Sequence, residues 1–162
     1  MTKMSFPIHS SQQITHYVYF DPYQYVDHID NYPALLRLGY GFGFQRMSIP
    51  NTFDADPLVG KTISRIIFDF IEERSNEVVL LYHCEYIDKK QKGRDRIFQE
   101  WYDNSPAKEL VIKKRIEINQ TDSSGNRISF FMGYLVSGKN RNKLKIDEEF
   151  STFADKLIAG KP

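Results

Sequence analysis

The sequence predicts an α+β fold, a single mixed, largely antiparallel sheet with about three main helices. Three observations lead there. Apolar side chains at Val59, Ile63, Ile66, Ile67, Phe70 and Ile71 recur at helical spacing. Val78 to Leu81 are four consecutive aliphatics, the pattern of a strand buried on both faces. Residues 110–118 and 127–136 read as two strands joined across "TDSSGN", a hairpin.

Taken in order, residues 1–13 mix Pro7 with Ser and Gln and show neither period, so they are expected to form a flexible lead-in to one domain over 14–159. "ITHYVYF" and "DPYQYVDHI" read as two strands about a turn at Asp21-Pro22. "NYPALLRL" fits a short helical turn, and residues 40–49 alternate Gly and aromatics as a strand does. Asp56 is placed to cap the next helix and Pro57 to open it. Strand, helix and strand over 40–86 make one parallel crossover, right-handed by the general rule. A second helix is expected over 95–102, where Ile97 and Trp101, and Phe98 and Tyr102, are spaced i to i+4 and can share a buried side. In the hairpin's first strand Leu110, Ile112, Ile116 and Ile118 fall on one face, and Val111, Lys113, Arg115 and Glu117 on the other. "KNRNKLK" reads as a basic loop before a last helix from about Asp147, with Phe150, Phe153, Ala154, Leu157 and Ile158 on one stripe.

Composition narrows the function classes. The chain's 162 residues suit one hydrophobic core. Its 22 Lys and Arg against 21 Asp and Glu create no global field to draw it to nucleic acid or an anionic membrane. The single cysteine, Cys84, makes no intrachain disulfide and no thiolate zinc site, and fits a reducing cytoplasm. No apolar run approaches the roughly 20 residues of a membrane helix, and the N-terminus does not read as a signal peptide.

The stretch "LLYHCEYIDKKQKGRDRIFQEWYDN" gathers the residue types that chemistry uses. His83 and Cys84 are adjacent in a strand and so point to opposite faces, which rules out a dyad and leaves Cys84 to pack as a small hydrophobe. His83 and Glu85 share a face at a strand end and form the best candidate pair for proton transfer, bordered by Arg94 and Arg96. The basic run 89–96 followed by Trp101 combines charge with a stacking ring, as single-stranded nucleic acid or a small anionic ligand requires. The four histidines have no metal-binding spacing, so no metal is expected. Gly39, Gly41 and Gly43 do not make a dinucleotide fingerprint. Gly60, Lys61 and Thr62 resemble the end of a P-loop whose first glycine is missing, which leaves only a helix N-terminus for phosphate.

Residues 62–102 resemble the centre of a family of short uncharacterised bacterial proteins, mainly from Bacteroidota. The resemblance rests on Thr62-Ile63, the Ile66 to Phe70 helix, Cys84 followed by an acidic residue, Asp88, Arg94, Phe98 and Trp101-Tyr102. Glu85 stands where that family is expected to carry aspartate. The resemblance implies a cytoplasmic bacterial protein and transfers no catalytic residue. The order of elements also resembles the later part of the GCN5-related N-acyltransferases, which implies acetyl-CoA near Gly60 to Thr62, although the Q/R-x-x-G-x-G/A motif is absent. The expectation is therefore a noncatalytic binding domain for an unknown protein or small anionic ligand, with no cofactor. An acetyl-CoA-dependent acyltransferase and a nucleic-acid-binding domain stand as alternatives.

Overall fold

The computed structural model describes residues 4–9, 15–22, 31–46, 57–84 and 91–158. Its elements are β1 (Met4–His9), β2 (Thr15–Pro22), α1 (Pro33–Leu38), β3 (Gly39–Arg46), α2 (Pro57–Glu73), β4 (Val79–Cys84), α3 (Gln91–Asp103), β5 (Val111–Thr121), β6 (Arg127–Ser137) and α4 (Lys143–Ile158). The strands form one mixed sheet in the order β1-β2-β3-β4-β6-β5. Every neighbouring pair is antiparallel except β3 with β4, the crossover that α2 spans. The α+β expectation holds.

Each face of the sheet carries its own core. On one, Ile63, Ile67, Phe68, Phe70 and Ile71 of α2 bury themselves against Val18, Phe20, Tyr40, Leu80 and Val111. Phe20 stacks flat on Phe70 with centroids 3.8 Å apart. On the other face Ile146 and Phe150 of α4 and Leu35 and Leu38 of α1 cover Val79, Leu81, Ile118, Met132 and Tyr134. Each fully buried side chain of this size contributes roughly 1.5–3 kcal/mol before conformational entropy is counted. Burial on both faces makes β4 a continuous aliphatic run, as its sequence predicts.

Several boundaries differ from expectation. The segment read as a lead-in contains β1, whose Met4 and Phe6 pack against the core while Ser5 and Pro7 face out. Polar neighbours on both sides hide that short alternation. β2 runs straight through Asp21-Pro22 instead of turning. Pro22 pairs opposite Tyr40 beyond the last residue that β1 covers, where a missing N–H leaves no ladder bond unmade. The second strand placed at 21–29 lies, after Pro22, outside the described residues, as do Asp56 and residues 47–49. α3 begins at Gln91, so Lys92, Arg94 and Arg96 belong to a helix rather than a loop; Lys89 and Lys90 lie outside the described residues. α4 begins at Lys143, its first turn closed by the Ile146 amide donating to Asn142 O at 2.8 Å. The buried Asn140 ties the preceding loop down by donating to Val78 O and accepting from the Asn142 amide. Leu110 and Ile112, placed on the apolar face, remain 48% and 39% exposed, because α4 covers that face only further along β5.

Two devices hold the layers in register. Glu149 of α4, 5% exposed, accepts from the Ala34 and Leu35 amides at 3.0–3.1 Å and so caps α1, whose own N-cap residue Tyr32 makes no side-chain cap. Tyr82 of β4 donates its hydroxyl to Lys114 O, passing over Gly133 of β6. A Cβ at Gly133 would collide with both groups, which is why this interior strand position is glycine.

Candidate functional site

The parallel ladder of β3 and β4 pairs Gly39 with Val79, Tyr40 with Leu80 and Gly41 with Leu81. Both strands continue past it, to Arg46 and Cys84. Phe42 and Tyr82 occupy the first positions beyond the ladder, with ring centroids 6.3 Å apart. Phe98 from α3 closes over both at 5.5 Å from each. The three rings cap the point where the strands cease to pair.

Above them α2, α3 and the sheet line a narrow cleft, open to solvent at its mouth, with an internal volume of about 20 Å³. Its walls are Phe42, Ile67, Phe68, Tyr82, Phe98, Trp101, Tyr102 and Leu135, with Ser64 and Lys113 as polar groups. Apolar walls with a few polar groups are the general make-up of a small-ligand site. Trp101 forms its α2 side because residue 60 is glycine: a Cβ there would stand 3.0 Å from the indole Nε1. Ser64 Oγ donates to Trp101 O at 3.4 Å. Tyr102 donates its hydroxyl to Val111 O at 2.9 Å and Lys108 O at 3.2 Å. Burial first, then the negative charges of Glu109 and Asp103, push the Tyr102 hydroxyl above its ordinary pKa, so it stays a neutral donor.

The cation among the cleft's walls, Lys113, comes from β5, and Arg115 follows it on the same face of that strand. Lys113 Nζ donates to Gln99 Oε1 at 2.7 Å and stands 5.6 Å from the Tyr82 ring centroid. Arg115 Nε donates to both oxygens of the buried Asp95 at 2.7 and 2.9 Å, with its guanidinium 4.6 Å over Phe131. That hydrogen bond is the main reason the Arg115 pKa is raised, and the residue stays charged. On the opposite face Asp147 accepts from Lys114 Nζ at 2.8 Å and from the Tyr134 hydroxyl at 2.7 Å. The Lys114 ammonium first and the Tyr134 hydroxyl second hold the Asp147 carboxyl below its ordinary range. Burial, then the bond to Asp147, pushes Tyr134 well above its own.

The residues singled out in the sequence are dispersed. His83 lies at the end of β4, exposed, its ring 5.0 Å from Phe130 on the face that α4 covers. Arg96 lies on α3, across the sheet, exposed and 3.9 Å from Glu100. Glu85 and the Arg94 side chain lie outside the described residues. Gly60 is covered by the Trp101 indole, Lys61 is exposed and Thr62 half-buried on α2. Trp101 therefore packs against a helix instead of standing free for a base. Ile97, expected beside it, is 40% exposed, and Phe98 takes the inward position. The cleft's other residues were hidden as ordinary core aromatics; the signal that could have found them is four aromatics, Tyr82, Phe98, Trp101 and Tyr102, in one short stretch. Among the described residues no three His, Cys, Asp or Glu side chains converge as a metal site would require.

No curated protein and no solved structure matches the chain at a significant level. The sequence profile of a family described as a family of unknown function (DUF6169) matches residues 55–152. The match runs from ahead of α2 into α4 and includes every wall of the cleft except Phe42. With more than half of the chain matched, the protein belongs to this family of unknown function, DUF6169.

Proposed function

We propose that the protein is a binding domain that holds a small anion with a flat or slender apolar part at the mouth of the cleft between α2, α3 and the sheet, the aromatic walls parting to admit the apolar end. The observation that carries the reading is the aromatic enclosure at the parting of β3 and β4, with Lys113 bringing positive charge to its β5 side. Ligands of open sheets bind at the carboxyl ends of strands, and the cleft lies beside that end of the parallel pair. The reading includes work in a bacterial cytoplasm, for which the lone cysteine and the resemblance to Bacteroidota proteins speak. Trp101 supplies the assay. Titration with a panel of aromatic carboxylates and acyl thioesters is expected to give a saturable change in Trp101 fluorescence, abolished by Phe98→Trp, which fills the cleft, and weakened by Lys113→Met. No saturable change at millimolar concentrations across the panel would overturn the proposal.

One observation favours a second reading, an acyltransferase-like enzyme using acetyl-CoA. The adjacent strands that stop pairing are the parallel pair linked by α2, so an extended thioester arm could lie where the ladder ends. His83 and Glu85, at and after the end of β4, are its candidates for handling a proton. A thermal shift with acetyl-CoA that exceeds the shift with inorganic phosphate would support it, since a ligand of the folded state stabilises by its concentration over its affinity. Nucleic-acid binding has less support: Arg96 lies beside Glu100, Arg115 is paired with Asp95, and Trp101 is packed on Gly60.

A further inference from the structure

β5 is the last strand of the sheet, and among the described residues no element pairs with its outer edge. Eleven residues run in unbroken register with β6, from Val111↔Ser137 to Thr121↔Arg127, with no bulge and no proline. Such an edge is normally blunted by exposed lysines, proline or a bulge. The cations of β5 do not serve that purpose. Lys113 is bound to Gln99, Lys114 to Asp147 and Ser151, and Arg115 to Asp95, each drawn over a face of the sheet by its own chain's helices.

The direction of the backbone groups along β5 follows from one bond. Leu110 O accepts from the Gly138 amide at 2.9 Å, one step before the register pair Val111↔Ser137. Alternation along an antiparallel ladder then turns the N–H and C=O of residues 112, 114, 116, 118 and 120 toward β6, and those of Lys113, Arg115, Glu117 and Asn119 outward. Val111 O, also outward, is taken by the Tyr102 hydroxyl, so pairing is centred further along, at Arg115, Glu117 and Asn119.

We propose that this edge pairs with β5 of a second copy, antiparallel about a two-fold axis at Ile116, joining two six-stranded sheets into one. An odd-numbered residue must meet an odd-numbered residue for the outward groups to bond, which restricts the axis to a residue position. Centred on Arg115 or Glu117, the strand sets like charge against like; centred on Lys114, it sets Lys113 against Arg115. Centred on Ile116, it sets Arg115 of each copy opposite Glu117 of the other, and the half-buried Ile116 side chains meet on the α4 face. Closed two-fold pairing also uses up the edge, leaving nothing to propagate a fibre. The inference is independent of what the cleft binds.

Sedimentation velocity on the full chain over a range of concentrations tests it. The expected result is a reversible monomer–dimer equilibrium. Glu117→Arg, at an exposed position, turns two attractive cross-strand pairs into repulsive ones and should raise the dimer Kd by ~10-fold or more with an unchanged circular dichroism spectrum. Asn119→Pro removes an outward amide and should also yield monomer. A wild-type chain that stays monomeric at several hundred micromolar, a dimer untouched by both substitutions, or growth into polymers would each overturn the proposal.

Discussion

Glu149→Ala is the most informative stability variant, because one buried carboxylate links α4 to the start of α1 across 115 residues of chain. Its removal leaves the Ala34 and Leu35 amides without their acceptor in a buried site. Hydrogen bonds to a charged group contribute roughly 1.5–3 kcal/mol, and an orphaned buried amide costs about 1–3 kcal/mol. Because these overlap, the expected loss is about 3 kcal/mol. A domain of this size loses about 2–4 °C of melting temperature per kcal/mol, so Tm should fall by about 6–12 °C. Glu149→Gln keeps one carbonyl oxygen but sets an NH₂ group against a backbone donor, and should lose about 1–2 kcal/mol. Thermal melts followed by circular dichroism give the global value. Amide exchange at Ala34 and Leu35 gives the local one and should quicken before the rest of the molecule responds. An alanine variant melting within about 2 °C of the wild type would show that the clamp contributes nothing net.

Gly133→Ala should be far more damaging than a glycine substitution in an open strand, by about 3 kcal/mol or more, since backbone at Lys114 O cannot yield; a soluble variant with wild-type Tm would refute the packing argument. Gly60→Ala sets a helix-propensity gain of about 1 kcal/mol against displacement of the Trp101 indole, so Tm should move little while the Trp101 emission maximum shifts. Stability should fall at both ends of the pH scale. Asp147, held below its ordinary 3.8, stabilises above that value and loses the effect as pH falls through its folded pKa; Tyr134, held above its ordinary 10.0, stabilises below that value and loses the effect as pH rises. Tyr134→Phe should remove this tyrosine's contribution to the alkaline fall and weaken the acid one without abolishing it, since Lys114 still holds Asp147 down, read from urea midpoints across pH.

The legible parts of this fold were those with a long, one-sided period. α2 starts at Pro57 as its sequence predicts, the β5–β6 hairpin joins across the expected turn, and the parallel crossover lies where strand, helix and strand follow one another. Asp122 accepts from the Ser124 and Asn126 amides, and Gly125 adopts φ +83°, the turn chemistry that "TDSSGN" encodes. Elements became illegible where tertiary contacts overrode local signals. β1 is too short for its alternation to outweigh its polar neighbours, and Asp21-Pro22 turns only if nothing continues the strand. Glu149 reads as a solvent-facing helix residue, because nothing local reveals that two amides 115 residues away need an acceptor. The dispersal of His83 and Arg96 has a related cause. Proximity in sequence brought His83, Arg94, Arg96 and Trp101 together, while the sheet places His83 and Arg96 in different layers.

The short parallel ladder bears on how the molecule breathes. Three residue pairs join the β1-β2-β3 meander to β4, whereas β5 and β6 share eleven. The family match, starting at residue 55, takes the β4 side of that seam and leaves out the meander. The meander is held instead by side chains, Phe20 on Phe70 above all. Side-chain packing gives way locally without unzipping a ladder, so the two halves should behave as separate cooperative units in native-state hydrogen exchange. The β1-β2-β3 amides should open through a sub-global event, and those of β4, β6 and β5 only with complete unfolding.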